Sequence, residues 1–490
     1  MILRMRAAPL IRTVVLVSVV AAGLQAQSTA PARPSATAVS TQPQAMDRKS
    51  LVAIYQRELG DKFDPAMTDQ LIHAHELIEK YFAVPSERKA ITAALEETGI
   101  DANILGRLTR IRMHWPQLQS GVYYVNERFG PHTVKYFLGI PKGYDRTKPW
   151  PLVIKLPAAD SFVKEPRPSA DHVVIIYRDW MEQEITRHPN AIVIMPLLNL
   201  DELYGPSYAG MHTVIQPMLH VYDRVNIDPA RVYLVGHSMS AHATWNLALH
   251  YPTYFAAFDV FAGGASQEWQ RLRSMNLRNV LAVVWHDSTD KVIKVDASRA
   301  LVRILRQMKI DVDYEETKGV GHVPTDEIVH RAYEKMSART RDLYPRRITL
   351  QSNRPDSIFN RIDWVQIYQP MNAGDEHWMI VSRGRGHFVT YSNAFKIDAT
   401  LAGSNRIDAT TSNVGQLRFY LNDQMVDFSQ PVTINLNRRG VFEGIVKPSV
   451  DEMLKDQLFI GRGWRYFTGI VDVDLIPKPI TRPSTTQSAR

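Results

Sequence analysis

The chain contains no cysteine among its 490 residues. Disulfides and free thiols are thereby excluded, so stability has to come from burial of a core, and the cellular compartment has to be read from other features. Long apolar runs are nearly as scarce. Beyond the stretch Thr13–Ala22 no segment approaches the length of a membrane span. Concentrated charge is missing too. The formal charge is +8, or +5 without Arg4, Arg6 and Arg12, and the remaining Lys and Arg are scattered with no aromatic-laced stripe. Nucleic acid is therefore not an expected partner. Metal-ligand spacing is also absent: His73-Ala-His75-Glu76 falls on a helical pattern, where neighbours two apart point in different directions. No metal or organic cofactor is expected.

What is present begins with a leader. Arg4, Arg6 and Arg12 precede the apolar run Thr13–Ala22, and Gly23-Leu-Gln-Ala26 ends it in small residues. Residues 1–26 therefore read as a signal peptide, which implies a periplasmic or secreted protein with no membrane attachment once the leader is cleaved. Residues 27–46, rich in Ala, Ser, Thr, Pro and Gln, read as a disordered linker. Over 47–119 apolar positions recur at helical spacing, as at Leu51, Ile54, Tyr55 and Leu59. From 120 to 345 strand-like and helix-like runs alternate, which predicts an α/β domain with a mostly parallel sheet flanked by helices. Over 346–480 short β-rich runs such as Asp363–Tyr368, Gln416–Leu421 and Val432–Leu436 predict a β-sandwich-like domain, and 481–490 a flexible tail. Trp364, Trp378, Trp464 and Tyr466 in this last region are candidates for stacking on sugars, although aromatics in strands more often belong to a core.

The chemistry concentrates in 231–323. Arg231-Val-Tyr-Leu-Val-Gly236-His237-Ser238-Met239-Ser240 reads as a strand entering a sharp turn, and Ala241–Leu249 as the helix that follows. Such a turn lifts a serine hydroxyl above a parallel sheet, with small residues on either side so that strand and helix do not collide. Gly236 fills one small position; Ser240 stands where glycine is the commoner choice. The competing view makes Ser238 a helix cap. After the apolar run Val280–Trp285 come Asp287 and Asp290, and after Val312–Thr317 comes Gly321-His322. A carboxylate and an imidazole thus follow strand ends, where open α/β sheets place their sites. His237 and His242, beside apolar sequence, read as packing or pocket residues.

Val235–His242, the Asp290-Lys-Val-Ile turn and the Gly321-His322 loop together resemble the secreted serine hydrolases of the α/β-hydrolase superfamily. The resemblance covers about 120–345 and points toward polyhydroxybutyrate-depolymerase-like and feruloyl-esterase-like carboxylesterases, close to prolyl-oligopeptidase-like peptidases. It implies Ser238 as nucleophile, His322 as general base and Asp290 as the acid that orients it. Asp287 is the rival acid; Asp290 is preferred because the family's acid commonly precedes an apolar pair such as Val292-Ile293. It also implies an oxyanion hole from the Met239 N–H and a second N–H after the strand Trp150–Leu156, where Ala158 or Ala159 replaces the glycines of relatives.

The function expected is hydrolysis of carboxylic esters through an acyl-enzyme, on a small-molecule or polymeric ester, a glycan or polyester among them. Two alternatives remain at this point: a prolyl-oligopeptidase-like peptidase, disfavoured by the short sequence ahead of the α/β domain, and a catalytically silent binding protein of the same fold.

Overall fold

A computed structural model describes residues 45–130, 132–157, 170–197, 211–264, 271–380 and 387–477. The leader, most of the linker and the C-terminal tail lie outside the described residues. Among the described residues no helix is long and apolar enough to cross a membrane.

The central feature is an eight-stranded sheet. β1 (Gly121–Phe129) and β2 (His132–Ile140) form the antiparallel hairpin that the alternation predicts, with Tyr124 opposite Phe137. They are followed by β3 (Trp150–Lys155), β4 (Ile192–Pro196), β5 (Ile227–His237), β6 (Ala257–Phe261), β7 (Leu281–Asp287) and β8 (Val312–Thr317). The spatial order is β1-β2-β4-β3-β5-β6-β7-β8; β2 runs antiparallel to its neighbours and every later pairing is parallel. This is the α/β-hydrolase strand order. β4 and β6 are buried at every position; β4 is accordingly an unbroken apolar run, whereas β6 carries the buried Asp259 among its apolar residues.

Helices cover both faces. In chain order, α1 (Arg48–Leu59), α2 (Thr68–Ala83), α3 (Arg88–Glu97) and α4 (Ala102–Leu108) precede the sheet. α5 (Ala170–Arg187), α6 (Gln216–Tyr222), α7 (Met239–His250), α8 (Asp296–Gln307) and α9 (Asp326–Ser337) connect its strands. Tyr177 and Met181 of α5 pack with Ile328, Ala332 and Met336 of α9 on one face. Met218 of α6, Trp245 of α7 and Leu301 of α8 cover the other.

Beyond Pro345 lie two larger sheets and a small hairpin. The five-stranded sheet runs Arg439–Gly444, Val432–Leu436, Arg406–Ser412, Phe395–Leu401, Arg347–Ser352 across its width. The four-stranded one runs Arg361–Ile362, Val365–Pro370, Val414–Leu421, Gly469–Asp474, and Glu376–Ile380 pairs with His387–Tyr391. Phe395–Leu401 alternates buried and half-buried positions without a break, as a strand with one face on a core should. One helix was not anticipated in this region: α10 (Val450–Ile460), whose Ser449 side chain accepts the Glu452 N–H.

The first four helices do not pack on the eight-stranded sheet. Leu51, Ile78 and Leu105 share one continuous core with Ile348, Ile397, Leu417 and Val471 of the C-terminal sheets. Met46 belongs to it as well, and its N–H bonds the Met113 carbonyl. Arg462 grips Glu79 through two bonds of 2.6 and 2.8 Å, and Arg107 reaches Asp423 at 2.9 Å. A buried ion cluster ties this layer to the hydrolase sheet. Asp363 accepts two bonds from Arg341, at 2.7 and 2.9 Å, and one from Thr253 Oγ1 at 2.8 Å, while Arg465 donates to the Thr253 carbonyl at 2.7 Å.

Candidate active site

Ser238 sits where β5 ends and α7 begins, at φ 58°. A β-carbon at Gly236 would lie 2.3 Å from Thr244 Oγ1 and 2.4 Å from the Ser240 carbonyl oxygen, so the first small position admits only glycine. The second does not need one. Ser240 is fully buried, and its Oγ accepts the His237 N–H at 2.9 Å while facing the Leu156 carbonyl at 3.3 Å. A glycine there would leave that turn without its side-chain brace. Ser238 occupies the N-cap position of α7 without capping it; its hydroxyl is directed elsewhere.

That hydroxyl meets His322: Oγ and Nε2 are 2.8 Å apart. His322 Nδ1 in turn lies 2.7 Å from Asp290 Oδ2, so the three residues selected from the sequence come together in one hydrogen-bonded chain. His322 stands on the loop between β8 and α9 immediately after Gly321, whose φ of 88° suits a residue without a side chain. His237 Nε2 donates to the His322 carbonyl at 2.9 Å and so fixes the backbone of that loop. Thr325 closes the loop by capping α9 through the Ile328 N–H.

The two candidate acids have separate jobs. Asp290 has a fully buried side chain; its Oδ1 accepts the Val292 N–H at 2.7 Å and the Ile293 N–H at 3.1 Å. Burial alone would raise its pKa, but the bonds from His322 and from these two amides outweigh it and hold the carboxyl below its ordinary range. Asp287 does not touch His322. It accepts from Thr289 N–H and hydroxyl on one oxygen and from Thr317 Oγ1 and Val320 N–H on the other, fastening the two loops together. Those bonds overcome its burial and depress its pKa strongly. Of the apolar pair after Asp290, Val292 is 68% exposed and Ile293 is half-buried. What the turn supplies is its amides. Val292, with Val320 and Val323 at 36% and 61%, forms an apolar rim on the loops that carry the acid and the base.

Met239 is the first residue of α7, so its N–H has no intrahelical partner and lies beside Ser238 at the positive end of the helix. Ala158 and Ala159 lie outside the described residues. The chain leaving β3 does pass the turn, since Leu156 donates to the Val235 carbonyl at 2.8 Å and its own carbonyl faces Ser240. His242 Nδ1 lies 2.5 Å from the Gly264 carbonyl oxygen, a packing role.

One residue escaped the sequence reading. His286, the penultimate residue of β7, is fully buried with Nε2 3.3 Å from Asp290 Oδ2. Its partners are a backbone carbonyl and a serine twelve residues on, for which no motif exists. Among the described residues no cluster of three His, Asp or Glu side chains could hold a metal ion. His73 is exposed and His75 fully buried, so the pair diverges.

No protein-family model matches the chain. No curated protein matches it either. Solved structures do. A thermostable esterase is 20% identical over 45% of this chain and 63% of its own, at a TM-score of 0.37. A ferulic acid esterase of Anaeromyces mucronatus is 14% identical over 47% of this chain and 94% of its own, at 0.33. A fluorophosphonate-binding serine hydrolase of Staphylococcus aureus is 15% identical over 45% and 99%, at 0.33. Each likeness spans less than half of this chain, and it is the strand order that carries the assignment: residues 121–337 have the α/β-hydrolase fold.

Proposed function

We propose that the protein is a serine hydrolase that cleaves carboxylic esters through an acyl-enzyme, with Ser238 as nucleophile, His322 as general base and acid, and Asp290 as the group that orients His322. The observation that supports this best is the unbroken chain Ser238 Oγ to His322 Nε2, 2.8 Å, and His322 Nδ1 to Asp290 Oδ2, 2.7 Å. Ser238 Oγ attacks the ester carbonyl as Nε2 takes its proton; Nε2 then protonates the departing alcohol, leaving the acyl group on Ser238. A water gives its proton to Nε2 and attacks the acyl carbon, and Ser238 regains its proton when the acid leaves. The Met239 N–H faces the developing oxyanion, and Ala158 or Ala159 supplies the second donor. The exposed valine rim suits an apolar acyl or aryl group.

The same proposal places the protein in the periplasm or outside the cell, from the leader alone. It assigns contact with a polymeric ester or glycan to the C-terminal sheets, where Trp378 is 62% exposed while Trp364, Trp464 and Tyr466 are buried core. The test is a panel of aryl esters, feruloyl esters and peptide amides, run beside labelling with a fluorophosphonate. Ser238→Ala is expected to abolish labelling and to lower ester turnover by about 10⁴-fold or more. Folded Ser238→Ala that turns over esters undiminished overturns the nucleophile, and amide cleavage outpacing ester cleavage overturns the substrate class.

A further inference from the structure

His286 accounts for a feature that the three-residue chain leaves open, the second ring that stands against Asp290 Oδ2. Its Nε2 lies 2.9 Å from the Ile293 carbonyl oxygen and 3.3 Å from Asp290 Oδ2. Neither oxygen can donate, so Nε2 carries a proton; it is directed at the Ile293 carbonyl, with Asp290 Oδ2 as its close anionic neighbour. Nδ1 lies 2.7 Å from Ser298 Oγ, and Ser298 Oγ lies 2.8 Å from the Gly263 carbonyl oxygen. A serine hydroxyl has one proton. If it points at Nδ1, two oxygens face each other at 2.8 Å with no hydrogen between them. If it points at Gly263, the ring donates from Nδ1 as well as from Nε2, with the Asp290 carboxylate beside Nε2. Only the second arrangement makes every bond.

We propose that His286 is a positioning residue, the fourth member of a relay Ser238, His322, Asp290, His286, which stands against the acid from behind and thereby weakens the hold of Asp290 on the proton of His322. This rests on the serine-hydrolase reading. Asp290 Oδ2 is shared by two imidazoles, so His286 competes with His322 for the same oxygen. The competition weakens the contact that His322 makes with the acid. The other ionisable groups facing His286 are Glu316 on β8 and His242 on α7, both of which interact with it electrostatically. The Glu316 carboxylate is itself engaged by Arg299 at 2.9 Å and Tyr314 at 2.6 Å, which leaves Asp290 as the direct anionic partner of the ring.

The test is the pH profile of kcat/KM for an aryl ester with the full chain and three variants. His286→Leu removes the donor, and the acid limb is expected to move up by about one pH unit, a roughly tenfold loss below the limb that is recovered on the alkaline side. His286→Gln returns a neutral N–H toward Ile293 and Asp290 and should bring the limb back toward the native position. Ser298→Ala takes the acceptor from Nδ1 and should move it the same way as His286→Leu, by less. It also serves where His286→Leu does not fold. Fluorophosphonate labelling of each variant separates the two ideas: an unlabelled native protein sinks the serine-hydrolase reading. A labelled set whose limbs coincide, or whose activity falls equally at all pH, overturns the relay and leaves His286 a packing residue.

Discussion

Ser238 holds a backbone conformation that a residue with a side chain adopts at a cost of about 1–3 kcal/mol, and Thr244 and Ser240 are packed against Gly236 so closely that no side chain fits there. The Oγ is thereby aimed before any substrate arrives. The two aspartates divide the labour behind it, which gives a direct comparison of variants. Asp290→Asn leaves His322 facing an amide and is expected to lower turnover by about 10⁴-fold through the wrong tautomer. Asp287→Asn loosens the tether to Val320 and Thr317 and displaces the imidazole only indirectly, so its loss should not exceed about 10²-fold. Equal losses, or a heavier one at Asp287, would show that the acid has been misassigned. These residues were legible in the sequence because the turn around Ser238 and the spacing past two strand ends follow from strand geometry. The preference for Asp290 rested on the apolar pair that follows it, of which Val292 is exposed and Ile293 half-buried, and what the turn contributes is the amides of that pair. His286 was not singled out and His237 was read only as a packing or pocket residue, because no spacing marks a ring whose hydrogen-bond partner is a backbone carbonyl.

At the scale of elements, the strand and helix alternation over 121–337 could be read directly, since the central parallel strands are largely buried and the edge strand β8 is half-exposed, each bounded by turns. α10 was missed although Ser449-Val-Asp-Glu452 has the spacing of a capping box, a signal hidden among β-rich neighbours. The larger misjudgement would be to treat the C-terminal sheets as detachable. Arg341 and Asp363 are a buried pair, and removing one partner of such a pair typically costs about 3–5 kcal/mol. Truncation before Pro345 removes Asp363 and also strips the cover from α1 to α4. We expect the truncated chain to be insoluble or to lack a cooperative unfolding transition, even though every residue of the proposed relay is retained. A soluble fragment that melts cooperatively and hydrolyses aryl esters would show that the shared core is dispensable.

For the molecule as a whole, acid should act in two stages. His75 and His220 are held neutral in the fold, their pKa pushed from 6.5 down to about 4, chiefly by burial. A base depressed in the folded state favours folding fully above its unfolded pKa and loses that contribution as pH falls toward the folded value. Stability should therefore decline between about pH 6.5 and 4 by up to about 1.4 kcal/mol per pH unit for each histidine. Below about pH 4 the depressed carboxylates, Asp290 and Glu79 among them, lose theirs as well. Urea midpoints measured at pH 7, 5.5 and 4.5 should fall in that order, and a double His75→Asn, His220→Asn variant should flatten the first stage. A midpoint constant from pH 7 to 4.5 would contradict the neutral burial of both rings. Nothing in the sequence pattern separates these two histidines from exposed ones such as His73, because their burial depends on partners distant along the chain, Tyr55 and Ile111 for one and Tyr136 for the other.

The core shared by α1 to α4 and the C-terminal sheets also sets an order of events during synthesis. The four helices leave the ribosome first, yet the strands that bury Leu51, Ile78 and Leu105 are made last, after the whole eight-stranded sheet. At translation rates of about 5–20 residues per second the helices wait many seconds with an apolar face uncovered. The eight strands are complete while they wait; the layer that pairs with Arg341 and covers the helices is not. Its assembly is a late, long-range closure, so a nascent chain stalled before Arg347 presents unpartnered helices as a natural substrate for chaperones.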